Sequence, residues 1–200
     1  MVRALLDGSK TQTRRIFKPE RMTFDADGRY STHAMRGGEL ACTGSGPFIP
    51  SNWLHYCPYG QPGDQLWVRE AWAQPTNLDP GPTFYRADYP ACVPSHFENV
   101  PPAEIIKWKP SIHMPRWASR ITLEITGVRV ERLQDISEVD AKAEGCAPAW
   151  LDAYDHTTVH AHAQPTYKRG YARLWGEING DASWDANPWV WIVEFRVITP

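Results

Sequence analysis

The chain has 200 residues, 42% hydrophobic and 22% charged, enough for one well-buried core, so a single domain spanning 1–200 is expected. A formal net charge of −2 excludes the global basic excess that non-specific binding of long nucleic acid requires, while leaving room for a local basic patch. Four scattered Cys without a CxxC pair argue against a structural zinc site, and no metal or cofactor is expected; without a signal-peptide pattern or a run of ~20 apolar residues, a cytoplasmic chain with no membrane partner is expected.

Met1–Leu6 is apolar and helix-favouring, and Asp7-Gly8 supplies the usual stop. The sequence leaves open whether a strand precedes that helix. Thr11–Phe17 alternates like a strand and ends at Lys18-Pro19. From Glu20 to Pro62 the chain is rich in Gly, Ser and Pro, which predicts a hairpin or a long excursion. Asp64–Trp72 reads as a strand and Thr83–Ala87 as a second, shorter one. Residues 88–115 are again irregular and Pro-rich. Arg116–Val130 is the strongest strand signal, with Ile121, Leu123 and Ile125 on one face.

Asp135–Gly145 reads as a helix started by Ser137 and closed by Gly145. Tyr167–Asn179 is a second helix, with an apolar stripe at Tyr171, Leu174, Trp175 and Ile178. Trp189–Ile198 is a β-rich final strand, and Ser183–Trp189 before it reads as a structural corner. Together these elements predict an α+β fold: a small curved sheet or barrel with peripheral helices. Two long irregular insertions, roughly 20–62 and 88–115, would wall a cleft. His156, His160 and His162 cluster in a Pro-flanked polar stretch that reads as a solvated loop rather than a metal site.

The segment Gly8–Arg15 carries the chemistry that stands out. Gly8 permits a sharp change of direction, and Lys10 and Thr13 follow it. A desolvated Lys beside Arg14 or Arg15 can act as base for a hydroxyl, making Thr13 a nucleophile; Lys10 can instead polarise a carbonyl for attack by water. A solvated basic turn after a helix accounts for the same residues. Lys10 and Thr13 lie on opposite faces of a strand unless the chain turns between them.

GSKTQTRR resembles the glycine–lysine signature of the ASCH domain, a small β-barrel of the PUA-like superfamily, with Gly8, Lys10 and Arg15 at the signature spacing. Gly63-Asp64 before LWV, the strand ITLEITGVRV, the segment LQDISEVDAKAEG and the terminal WVWIVEFRVI follow in the family's order. The stretches CPYGQPGDQLWVRE, PSIHMPRWASR and WDANPWVW are most similar to longer ASCH proteins of phages and prophages. The resemblance implies a PUA-like barrel and hydrolysis of N(4)-acetylcytidine to cytidine and acetate, as in compact bacterial members. It implies catalytic roles for Lys10, Thr13 and Glu144, and a binding or anchoring role for Arg15. The implied partner is a small nucleoside or modified base, with RNA as the alternative, since PUA-like barrels bind RNA and a metal-independent ribonuclease would use the same residues.

Further binding candidates flank this set. Trp72 could stack a base and Glu70 accept from its amino group, with Arg69 beside them; a core Trp and a cross-strand ion pair explain them equally. Arg116 and Trp117 stand at a strand entrance, suited to phosphate or base contact, or to a plain surface strand.

Overall fold

The computed structural model describes residues 1–17, 57–74, 82–97, 99–150 and 164–198, and the backbone of 23–24, 30–31 and 39–40. A short helix, α1 (Val2–Leu6), leads into β1 (Gln12–Ile16). Three two-residue strands follow, β2 (Thr23–Phe24), β3 (Tyr30–Ser31) and β4 (Glu39–Leu40), forming a small antiparallel sheet in the first insertion. Next come β5 (Gln65–Trp67), β6 (Trp72–Ala73), β7 (Phe84–Tyr85) and the long β8 (Thr122–Arg132). Helices α2 (Glu138–Ala143) and α3 (Tyr167–Asn179) precede the last strand, β9 (Trp189–Ile198).

The main sheet is antiparallel, in the order β1-β9-β8-β5, and curls into a half-barrel flanked by helices. Its curl has a local cause. The β8–β9 register shifts between Ile125 and Gly127, a bulge that bends a strand and increases its twist. Gly127 suits that spot, because a Cβ there would lie 2.6 Å from a Glu194 carboxylate oxygen.

Strand β9 shows why its sequence is almost continuously apolar: it is buried on both faces. Val190 and Ile192 pack with Leu133, Ile136, Tyr171 and Trp175 beneath α2 and α3. Trp191 and Val193 pack with Cys57, Ile125 and Val128 on the other side. Further along, Phe195 meets Leu5 of α1 together with Ile121 and Leu123. Among the described residues no helix is long and apolar enough to cross a membrane.

Two expected strands differ in extent. Asp64–Trp72 is not one strand: β5 ends at Trp67, and β6 pairs with β7 in a separate two-stranded sheet. The Val68 N–H still bonds the Ile121 carbonyl at 3.0 Å, but Glu70 then turns inward to Arg120 and breaks the alternation. Arg116–Val130 starts later and ends later than expected. Arg116–Ala118 is a 3₁₀ turn after Pro115, and β8 runs on to Arg132. At Ser183–Trp189, Asn187 takes a left-handed φ of 41° and its Oδ1 accepts from the Gln134 N–H, forming a corner before β9. The histidine cluster lies outside the described residues.

Candidate functional site

Residues 10 and 11 are threaded between three elements. The Lys10 N–H donates to the Ala4 carbonyl of α1, and the Thr11 N–H donates to the Ala143 carbonyl at the end of α2, each at 2.8 Å. The Thr11 carbonyl accepts from the Phe195 N–H of β9. Gly8, at φ +75°, turns the chain out of α1 and into this path. Ser137 caps α2 by accepting from the Asp140 N–H, and Gly145, also at φ +75°, ends it. A Cβ on Gly145 would sit 2.9 Å from the Cβ atoms of both Ala4 and Lys10. That closeness lets the α2 terminus deliver Glu144 onto Lys10.

Lys10 and Glu144, 134 residues apart in sequence, meet in the interior. The Lys10 ammonium donates to Glu144 Oε2 and to the Glu144 carbonyl, both at 2.8 Å. The other carboxylate oxygen, Oε1, accepts from Arg14 Nη1 at 3.2 Å. The Lys10, Glu144 and Arg14 side chains are 7%, 3% and 0% exposed, so none of the three charges is left to water. Charges taken out of water to this degree persist only when paired.

Behind this triad lies a second tier. Gln12 donates to the Asp140 carbonyl at 2.7 Å, and Arg129 binds Glu131, Asp140 and Glu194. Burial pushes the Asp140 carboxyl up, but Arg129, Ser137 and Arg14 outweigh it and hold it below its ordinary value. Burial, reinforced by Glu144, raises the Tyr171 phenol and keeps it neutral.

Arg14 is incompletely satisfied. Its Nη2 lies 3.4 Å from Asp140 and 3.8 Å from Glu131, within ion-pair range. Yet neither Nε nor Nη2 makes a hydrogen bond to a described residue, and the Trp175 indole N–H is likewise buried without a partner. Each such orphan donor costs about 1–3 kcal/mol. Arg14 and Trp175 border one cavity of about 80 Å³, together with Lys10, Thr13, Arg15, Glu144 and Tyr171. That volume holds a few waters or an acetyl-sized group.

The expected residues separate into two places. Lys10, Thr13, Arg15 and Glu144 all border the cavity. Thr13 is half-buried, on the face of β1 opposite Gln12 and Arg14, and no hydrogen bond joins its hydroxyl to Lys10 or Glu144. Arg69, Glu70, Trp72, Arg116 and Trp117 do not border it. Glu70 gives both carboxylate oxygens to Arg120, at 2.9 and 3.0 Å, and is 3% exposed. Trp72 is 4% exposed in a small core with Met114 and Ala118, and meets Trp117 edge-on at 5.6 Å. Arg69 and Arg116 lie over Trp67, at 4.6 and 5.9 Å.

Sequence reasoning gave Arg14, the innermost cation, no role beyond that of a charge beside Lys10, and gave Trp175 only a packing role. The signal for Arg14 was present: in an extended chain, residues 10, 12 and 14 share a face, so a buried Lys10 brings Arg14 with it. A scan against protein-family models, a search of curated proteins and a search of solved structures each returned no match.

Proposed function

We propose that this chain is an amide hydrolase that removes the acyl group from N(4)-acylated cytosine nucleosides such as N(4)-acetylcytidine, on a PUA-like barrel of the ASCH kind. The observation that carries the proposal is the buried Lys10–Glu144 contact of 2.8 Å beside an acetyl-sized cavity. A structural ion pair has no need of an adjoining cavity, whereas an acid–base pair must reach its substrate.

In this reading the Glu144 carboxylate takes the proton of the attacking oxygen, and the Lys10 ammonium polarises the amide carbonyl. The C–O bond forms, the C–N bond breaks, and the proton on Glu144 passes to the departing N4 amine. The attacking oxygen is Thr13 Oγ or a water. With Thr13 an acyl-enzyme forms and a second water releases acetate. The exocyclic amine is conjugated with the pyrimidine ring, so it departs more readily than an alkyl amine.

Release of cytidine from N(4)-acetylcytidine tests this. Wild type turns over, and Lys10→Ala and Glu144→Gln each lose roughly 10²–10⁴-fold in kcat, the usual contribution of a positioned acid or base. A wild type without turnover, or variants as active as wild type, sinks the proposal. Thr13→Val separates the two nucleophiles: an inactive variant means an acyl-enzyme, and an active one means direct attack by water.

A second reading, binding of single-stranded RNA, is favoured by one observation outside the cavity. Arg69 and Arg116 lie over Trp67, and Trp117 is 65% exposed and meets Trp72 edge-on, with Lys109 over the Trp72 ring. Exposed aromatics interleaved with cations suit base stacking and phosphate contact. A gel shift that weakens steeply with salt and is lost in Trp117→Ala would favour it; no shift at low salt would end it.

A further inference from the structure

We propose that Arg14 and Trp175 form an oxygen-binding pocket in the Lys10 cavity, built to receive a small carboxylate or acyl group of about acetate size. Its ligand class follows from buried donors that make no hydrogen bond to a described residue. Arg14 Nε, Arg14 Nη2 and Trp175 Nε1 are three buried donor nitrogens without a hydrogen bond among the described residues, on two residues that border one cavity. Nature seldom leaves such groups unpaired, and each can only donate. The complement of three donors is an acceptor with several lone pairs, which describes a carboxylate or an acyl oxygen gathering negative charge.

The charge at the cavity agrees. Its charged border residues are Lys10, Arg14 and Arg15 against Glu144 alone, three cations to one anion. Asp140 and Glu131 face Arg14 from behind, 3.4 and 3.8 Å from Nη2, and hold the guanidinium without hydrogen-bonding it. Tyr171 lies 5.8 Å from the guanidinium carbon and adds a neutral wall. At about 80 Å³ the space matches acetate more closely than a long acyl chain. The identification of the group as acyl rests on the hydrolase reading, in which this pocket would hold the amide oxygen as it becomes an oxyanion.

Sodium acetate is the probe, titrated at ionic strength held constant with chloride. Binding is followed on the ten Trp indole N–H resonances of the full chain, with Trp175 assigned by its absence in Trp175→Phe. Acetate is expected to move the Trp175 signal more than the others, saturably, and butyrate to do so at least tenfold more weakly. Arg14→Lys keeps the charge but loses the fork, and should weaken acetate binding at least tenfold. Trp175→Phe keeps an aromatic ring but loses the pyrrole half of the indole with its N–H; it should weaken binding several-fold, read on the amide resonances, and it carries the test if Arg14→Lys does not fold. Arg196→Ala, on the exposed face, should change nothing. An unmoved Trp175 signal, or wild-type affinity in both Arg14→Lys and Trp175→Phe, overturns the inference. Acetate binding without turnover of any acylated cytidine leaves this pocket standing and removes the hydrolase reading. Turnover with no acetate binding and no effect of either variant does the reverse.

Discussion

Arg14 and Arg120 each face two or more carboxylates, and they spend their donors differently. Arg120 commits its whole fork: Nε and Nη2 bond Glu70, and Nη1 and Nη2 bond Asp88, all between 2.7 and 3.0 Å. Its guanidinium also stacks on Tyr85 at 4.0 Å. Arg14 is more deeply buried yet, among the described residues, makes one hydrogen bond, to Glu144, and leaves Nε and Nη2 without any. A structural arginine is one whose hydrogen-bonding capacity the fold exhausts. An arginine with capacity left over, beside a cavity, is held ready for something the fold does not contain. The same contrast separates Glu70, enclosed by one partner, from Glu144, which is shared between two cations at a cavity edge.

The largest effect that can break this comparison is the unequal cost of losing each arginine. Arg120→Met strands the buried Glu70 and the half-buried Asp88 without their cation, a loss of about 3 kcal/mol. Arg14→Met removes one bond to Glu144, which Lys10 still holds, and also removes two orphan donors that each cost about 1–3 kcal/mol. Arg14→Met should therefore be less destabilising than Arg120→Met by about 2 kcal/mol. Urea unfolding of the two variants measures the difference. Equal losses would mean that Arg14 is a structural residue like Arg120 and that its donors are satisfied.

A smaller effect concerns the helix that walls the Arg14 side. Gly170 lets α3 lie against the 147–149 segment, where a Cβ would be only 1.9 Å from the Ala147 carbonyl oxygen. Ala is the better helix former by about 1 kcal/mol, but a backbone clash of that depth costs more, about 1–3 kcal/mol net. Gly170→Ala should destabilise the chain and displace Tyr171 and Trp175 from the cavity, leaving the Arg120 cluster intact. Gly176, on the same helix, has open space, with Asp181 Cα the nearest atom at 3.9 Å. Gly176→Ala should therefore be neutral or stabilising by up to ~1 kcal/mol. Thermal melts of the pair check this, and the same sign in both would refute the packing account.

How much of this the sequence disclosed depends on whether the information was local. Helix α3 and strand β9 matched their expected limits because periodicity, the Thr166 cap and the apolar run are written into neighbouring residues. The break after Trp67 did not, because it comes from Glu70 reaching Arg120, fifty residues away. At the site, the resemblance and the local helix signals drew Lys10 and Glu144 to attention, but their 2.8 Å contact depends on Gly145 allowing α2 to close on Lys10. Arg14 was read only as a cation neighbouring Lys10, because nothing in its immediate sequence sets it apart from Arg15. Only the parity of β1 against β9, with Arg14 opposite Ile192, shows that it points inward.

The smallest effect lies in the acid limb of stability, where the two clusters differ in cause rather than direction. The Arg120 hydrogen bonds are the largest influence on Asp88 and hold its carboxyl below the ordinary value. Burial is the largest influence on Asp140 and works against its cations, although the net direction is also downward. A carboxyl lowered by folding stabilises the native state above its unfolded value, ~3.9, and that contribution is lost as pH falls through the folded value. The stability gap between wild type and Asp88→Asn should therefore be constant near neutrality and shrink below about pH 4. Asp140→Asn should show the same sign with a smaller change, because desolvation already offsets part of its pairing. Urea midpoints of both variants between neutrality and acid would measure this, and a larger acid-dependent gap for Asp140→Asn would reverse the order. That reversal would mean that the Arg14 tier is bound as fully as the Arg120 cluster, and that its orphan donors carry less than their geometry suggests.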